Sequence, residues 1–222
     1  MAWVPQSADA WFLSEQTGYA QLYTVSPEGK QRQLTKGEFE LRSPVWTHDG
    51  QRVFALSNQS HPSEWDLYRI DGKDGSLQRL TELMGVESFT LDHWHQRVLL
   101  RYSSSYSPTQ ATVLDIATGQ RYATTDTLTD RYRTLTWQQP QFVAVPSSVV
   151  DRPIWSKFYP ADPSFSGPRP AVLFVHGAGY TQNTHHKFPY YFREQMFHNL
   201  LTARGYHVLN MDYRASEGYG RD

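Results

Sequence analysis

The segment His176 to Tyr180 is the most informative part of the sequence for a catalytic function. It reads His-Gly-Ala-Gly-Tyr and directly follows the apolar run Ala171 to Val175, which predicts a short buried strand. Small residues after a strand let the backbone turn sharply and leave N–H groups free to face a developing oxyanion. The segment therefore predicts an oxyanion region that contains His176, Gly177, Ala178 and Tyr180.

A nucleophile does not accompany this segment. The elbow of an α/β-hydrolase reads Gly-x-Ser-x-Gly, because its serine occupies a strained turn where bulkier neighbours would clash. None of the 14 glycines is followed by a serine two positions later, and the sequence contains no Cys that could supply a thiol. We therefore expect no catalytic residue within this chain.

The residues that follow predict a helix and a second strand. Apolar side chains recur at helical spacing, and Gly205 supplies a stop before the strand His207 to Asp212. Strand, helix and strand predict a parallel pair with a right-handed crossover. We interpret the apolar side chains as a core-facing stripe made of Phe192, Met196, Phe197, Leu200 and Leu201.

Residues 10 to 130 contain a repeat. The second strand of each repeat is centred on Leu22, Leu67 and Val113, which are 45 and 46 positions apart. Two of the repeats then share a Leu-Thr pair at residues 34–35 and 80–81. Four short antiparallel strands in about 40–50 residues are typical of a propeller blade. A β-sandwich with strands of similar spacing is the alternative.

These patterns predict a mixed fold class: the C-terminal blades of a β-propeller followed by the N-terminal part of an α/β-hydrolase domain. We expect about three blades, an incomplete ring, in residues 1–136. Residues 137–222 would then be the truncated start of the α/β-hydrolase domain.

Composition excludes several classes of partner. The net charge of −1 gives no electrostatic case for nucleic acid, and no apolar run reaches the ~20 residues of a membrane span. The opening residues show no signal peptide. We expect the true N-terminus to lie upstream, so the compartment stays unknown.

Other polar residues have structural interpretations. Asp212 and Arg214 are expected to form an ion pair that braces the turn after the second strand. His185-His186 and His93-x-His95 lack a carboxylate cluster or a third ligand, so we expect exposed loop histidines rather than a metal site. Neither a metal nor another cofactor is expected.

Several motifs resemble one peptidase family. The stretches Phe12 to Tyr23 and Leu34 to Glu38 lie in the repeats, and the His-Gly strand end follows them. Arg204-Gly-Tyr206 and the stretch Asp212 to Asp222 complete the pattern. In this order they resemble the prolyl oligopeptidase family of serine peptidases, most closely its dipeptidyl-peptidase IV-like branch.

The resemblance implies a peptidase whose propeller controls access to a Ser-Asp-His triad located beyond residue 222. Peptides would be its substrates, and a homo-oligomer of the full-length protein is compatible with it. Two departures from the family pattern matter, and the first of them leaves the oxyanion donor open between backbone alone and backbone plus a side chain. Many relatives read His-Gly-Gly-Pro where this chain has His-Gly-Ala-Gly, and Arg-Gly-Ser where it has Arg214-Ala-Ser216.

Two other functions remain open at this point. One is an esterase of the α/β-hydrolase fold, and the other is a non-catalytic propeller scaffold that only binds. These residues do not decide between exopeptidase and endopeptidase action. They also leave open the preferred residue at the cleaved bond and the number of propeller blades.

The absence of a Gly-x-Ser-x-Gly elbow generates a first prediction. A serine hydrolase needs a serine activated by a neighbouring base. We therefore expect a fluorophosphonate probe to leave the purified 222-residue chain unlabelled, as measured by intact mass. Stoichiometric labelling of one serine would contradict this expectation.

Overall fold

The first part of the molecule consists of three four-stranded antiparallel sheets. The computed structural model describes residues 1–177 and 179–221. We call the three sheets the first, second and third blade, and in each of them strands that are consecutive in sequence pair with one another. The first blade contains β1 (Ala2–Trp3), β2 (Ala10–Ser14), β3 (Gln21–Val25) and β4 (Gln31–Gln33). The second contains β5 (Leu41–Trp46), β6 (Arg52–Ser57), β7 (Asp66–Asp71) and β8 (Leu77–Arg79), and the third β9 (Val86–Leu91), β10 (Arg97–Ser104), β11 (Ser107–Asp115) and β12 (Arg121–Ala123).

The apolar core lies between neighbouring blades. Strand β6 explains why, because its side chains alternate between two clusters. Val53 and Ala55 pack with the side chains of the first blade, whereas Phe54 and Leu56 pack with those of the third. A strand that is buried on both faces needs a continuous apolar run, and the sequence Val-Phe-Ala-Leu supplies one.

A buried threonine forms the same hydrogen bonds in the first and the second blade. Thr35 and Thr81, the threonines of the Leu-Thr repeat, accept a hydrogen bond from the backbone N–H of Leu22 and Leu67, respectively. Each threonine hydroxyl then donates to a buried side chain at the start of the neighbouring strand, which is Gln21 in the first blade and Asp66 in the second.

The third blade has the same arrangement although its sequence lacks the Leu-Thr pair. The hydroxyl of Thr125 accepts from the N–H of Ala111 at 2.8 Å and donates to Gln110 at 3.0 Å. We call this hydrogen-bonded pair of threonine and Gln or Asp the threonine clasp. It satisfies polar groups inside the blade that would otherwise be buried without a partner.

A mixed sheet follows the blades. A one-turn helix, α1 (Asp130–Arg133), leads into the elements of this C-terminal sheet. Its strand order is β13-β14-β16-β15, and only β15 and β16 are parallel to each other. No described helix is long and apolar enough to cross a membrane. The elements are β13 (Gln141–Val145), β14 (Ile154–Tyr159), β15 (Ala171–Val175), helix α2 (Phe192–Thr202) and β16 (His207–Met211).

The α/β-hydrolase part of the predicted fold class is wrong. The regular secondary structure of the described chain is nearly all sheet, and helices make up 7% of the residues. Two of the three strand pairs in the C-terminal sheet are antiparallel, and helix α2 packs on this sheet through β14 and β16. A doubly wound sheet is parallel and has helices on both faces. One strand–helix–strand unit in the sequence does not specify such a sheet, since mixed sheets contain it too.

The predicted burial of strand β15 and of the apolar side chains on helix α2 is also wrong. Strand β15 forms the edge of the sheet, and Leu173 is 61% exposed. On α2, the expected core residues Met196, Phe197 and Leu200 are exposed, while Phe192 and Leu201 are half-buried. The buried residues of this helix are polar, namely Gln195, His198 and Thr202.

The hydrogen bonds of Gln195 explain this inversion. Its amide nitrogen donates to the backbone oxygen of Ser105 in the third blade, and its amide oxygen accepts from the hydroxyl of Tyr159 at 3.2 Å. The helix is therefore oriented by polar contacts, and periodicity of apolar residues alone does not reveal them.

The threonine clasp predicts a specific stability change. Thr81→Val keeps the shape of the side chain but removes the hydroxyl that bonds Leu67 and Asp66, so we expect the free energy of unfolding to fall by about 1–3 kcal/mol. Chemical denaturation measures it. Thr81→Ser, which keeps the hydroxyl, and Thr136→Val, at an exposed position, are the controls. Equal stability of Thr81→Val and Thr136→Val would refute the role of the clasp.

Candidate functional site

The candidate site lies where β15 and β16 end side by side. These strands are parallel and pair Val175 with Met211, so the residues that follow them, His176 and Asp212, become neighbours. Nε2 of His176 is 3.5 Å from Oδ1 of Asp212. The carboxyl ends of parallel strands are where such sheets commonly build ligand sites.

His176 is held by contacts on both ring nitrogens. Nδ1 is 3.0 Å from the carbonyl oxygen of Gly177, and because a carbonyl only accepts, we assign the ring proton to Nδ1. Nε2 is 3.1 Å from the hydroxyl of Ser216, and the ring lies against Tyr213 with centroids 4.5 Å apart. The side chain is 8% exposed, so this histidine is fixed in place rather than projecting into solvent.

Asp212 is a fully buried carboxylate that organises the loop after β15. It accepts hydrogen bonds from the backbone N–H groups of Asn183, at 2.8 Å, and of Thr184, and another from the hydroxyl of Tyr219 at 3.0 Å. Burial raises the pKa of Asp212, while these hydrogen bonds and the nearby His176 oppose the rise. The carboxylate thus joins β16, the loop and the following turn.

The ion pair expected between Asp212 and Arg214 is not formed among the described residues. The carboxylate of Asp212 accepts hydrogen bonds from the loop and from Tyr219, and Arg214 is exposed within the turn. This part of the sequence interpretation is therefore corrected, although Asp212 does brace the turn through other partners.

Ser216, His176 and Asp212 lie close together but do not form a catalytic relay. In a serine hydrolase, the carboxylate binds one ring nitrogen of the histidine and the serine binds the other. Here Ser216 and Asp212 both face Nε2, while Nδ1 faces a carbonyl. Ser216 is fully buried, and its hydroxyl also accepts from the N–H of Tyr213. The three residues form a positioning network.

Gly177 and Tyr180 have different surroundings. Apart from Gly177 and its two chain neighbours, no described residue has an atom within 4 Å of the position that a Cβ of Gly177 would take, so this side of the turn is open. The hydroxyl of Tyr180 lies 3.3 Å from a carboxylate oxygen of Glu15 and 3.3 Å from one of Glu40. Burial, and after it these two charges, raise the pKa of Tyr180. Ala178 lies outside the described residues.

The carboxylate of Glu40 extends this link from the second blade to the C-terminal turn. It is buried, and it accepts from the N–H of Gly220 at 3.2 Å. Arg42 pairs with Glu217 at 2.9 Å and stacks on Trp65. Sequence reasoning missed these residues, because partners as far apart as 180 positions leave no local signal.

His185 and His186 differ from the expected exposed loop residues, whereas His93 is exposed in a turn as expected. His185 is buried, which lowers its pKa well below the usual value. His186 stacks on Phe142, and burial lowers its pKa to about 4. His95 lies 4.4 Å from His48 between ring centroids. Within residues 1–177 and 179–221, no group of three His, Cys, Asp or Glu residues is placed to hold a metal ion.

Comparisons with known proteins agree with the blade repeat. Residues 2–109 match the family of the dipeptidyl peptidase IV (DPP IV) N-terminal region. The chain is similar in fold to the crystal structure of Porphyromonas gingivalis dipeptidyl peptidase 4, with a TM-score of 0.79 and 18% identity. The similarity covers 98% of this chain and 31% of that one, so the chain spans about a third of its length.

A search of curated proteins gave no significant match. At 18% identity the solved structure shows the fold alone, and the family match covers residues 2–109. The chain is thus similar in sequence to the dipeptidyl peptidase IV N-terminal region over residues 2–109, and similar in fold to one dipeptidyl peptidase 4 over 98% of its length.

Proposed function

We propose that this chain is the propeller-type part of a peptidase that hydrolyses peptide bonds through a Ser-Asp-His triad, and that its blades control access of the peptide. The observation that carries the proposal is the match of residues 2–109 to the dipeptidyl peptidase IV N-terminal region. The fold similarity over 98% of the chain is consistent with it.

Contacts between the blades and the candidate site favour a role in access. Tyr180 follows the strand end at His176, and its hydroxyl binds Glu15 of the first blade and Glu40 at the start of the second. Asn58, also in the second blade, donates to the backbone oxygen of Gly218 at 2.8 Å. A peptide that approaches the open side of Gly177 would therefore pass the edges of the first two blades.

The backbone is the better candidate for the oxyanion donor. Both ring nitrogens of His176 already have partners, and the Tyr180 hydroxyl faces carboxylates. We therefore propose that the amides of Gly177 and Ala178 stabilise the tetrahedral intermediate, with His176 fixing the turn that carries them.

The peptidase proposal predicts the activity of the gene product that contains this chain. We expect it to hydrolyse p-nitroanilides of a dipeptide, with either a free or an acylated N-terminus, and to lose this activity after fluorophosphonate treatment. The free and the acylated substrate also distinguish exopeptidase from endopeptidase action. Cleavage of p-nitrophenyl esters without any anilide cleavage would favour an esterase, and no hydrolysis or labelling would favour a binding scaffold; either result contradicts the proposal.

If backbone amides bind the oxyanion, the turnover of the Tyr180→Phe variant of that gene product should hardly change. Tyr180→Phe removes a hydroxyl that faces Glu15 and Glu40, so we expect kcat to stay within about twofold of the unmodified protein, measured beside the exposed-site control Tyr122→Phe. Losing one oxyanion donor typically reduces turnover about 10²–10³-fold. A loss of that size with little change in KM would instead assign Tyr180 as the donor.

A further inference from the structure

A cleft of about 160 Å³ separates the first two blades from the C-terminal sheet. This volume is below the ~300–1,000 Å³ of pockets for drug-sized ligands, so it suits a single side chain rather than an extended peptide. Aromatic and apolar residues form most of its wall, namely Tyr19, Pro62, Ile154, Trp155, Tyr213 and Tyr219.

Three charged residues also line the cleft: Glu38, Arg152 and Arg214. Arg152 is engaged, since it binds the hydroxyl of Tyr19 and the backbone oxygen of Tyr219. Arg214 is exposed, and no hydrogen bond or ion pair joins it to another described residue. Its planar guanidinium is therefore available, with the fork of donors that matches a carboxylate.

The turn that carries Arg214 has a strained and well-fixed backbone. Ala215, which also lines the cleft, has φ of +62°, in the left-handed region that residues with a Cβ rarely adopt. The turn persists because the hydroxyl of Ser216 accepts from the N–H of Tyr213, while the N–H of Ser216 donates to the carbonyl of Tyr213. Observed strain of this kind is a reason to look for function.

We propose that this cleft binds a carboxylate attached to one apolar group, such as the C-terminal residue of a peptide or a free aromatic acid. The aromatic walls enclose the apolar group, and Arg214 binds the carboxylate. Glu38 repels a second negative charge, which restricts the ligand to a monoanion. The inference does not depend on the proposed peptidase activity, because no catalytic residue takes part in it.

A binding experiment on the 222-residue chain tests the proposal. N-acetyl-L-phenylalanine and its C-terminal amide differ in charge but hardly in shape, and NMR titration measures the dissociation constant of each. We expect the acid to bind about tenfold or more tightly than the amide, with chemical shift changes centred on Trp155 and Tyr213. Since both ligands are titrated into the same unmodified protein, the comparison does not depend on whether a variant folds.

Two variants then test whether Arg214 is the residue that binds the carboxylate of the ligand. In Arg214→Gln, the acid is expected to bind as weakly as the amide does, whereas Arg204→Gln, at another exposed arginine, should leave the preference for the acid unchanged. Equal affinity of the unmodified chain for acid and amide would overturn the proposal. So would an acid preference that survives Arg214→Gln, or shift changes that centre elsewhere.

A third ligand distinguishes the two sources of this chemistry. The compound 3-phenylpropionate has the ring and the carboxylate but no peptide bond. Tighter binding of N-acetyl-L-phenylalanine would favour a peptide C-terminus, and equal or tighter binding of 3-phenylpropionate a free aromatic acid. Both results support the carboxylate site.

Discussion

The candidate site depends on the buried carboxylate of Asp212. A buried charge without partners is strongly unfavourable, so the protein must surround Asp212 with donors. These come from the loop after β15, through the N–H groups of Asn183 and Thr184, and from the following turn, through Tyr219. The buried carboxylate thereby fixes strand β16, the loop after β15 and the following turn relative to each other, and His176 lies beside it.

The second blade completes this arrangement with another buried carboxylate. Glu40 contacts Gly220 and the hydroxyl of Tyr180, so the turn after Asp212 and the strand end at His176 are both linked to the blade. A disturbance of β5 would therefore reach the candidate site through two hydrogen bonds. The coupling is polar, whereas the blades hold to each other through apolar side chains.

The sequence predicted the parts of the fold that repeat or alternate locally. Strands around Leu22, Leu67 and Val113 are present, and the pair β15–β16 is parallel as expected. The positions of His176 and Asp212 at the strand ends follow from that pairing. Burial on α2 was predicted wrongly, because the partners of Gln195 in the third blade are about 90 positions away.

The contacts that define the candidate site were hidden for the same reason. Glu40 and Tyr180 are ordinary residues in the sequence and become informative only when the blades and the C-terminal sheet meet. The third threonine clasp was missed on different grounds, since Thr125 is preceded by another threonine rather than by Leu.

The threonine clasp also bears on how far the sequence of such a protein can diverge. In each blade the threonine hydroxyl donates to one buried acceptor, which is Gln in two blades and Asp in the other. Strand β6 adds a continuous run of apolar residues that packs on both neighbouring blades. Structural information is thus concentrated in a few positions per repeat. A chain of this kind can drift to 18% identity with a distant protein and still superimpose on it with a TM-score of 0.79.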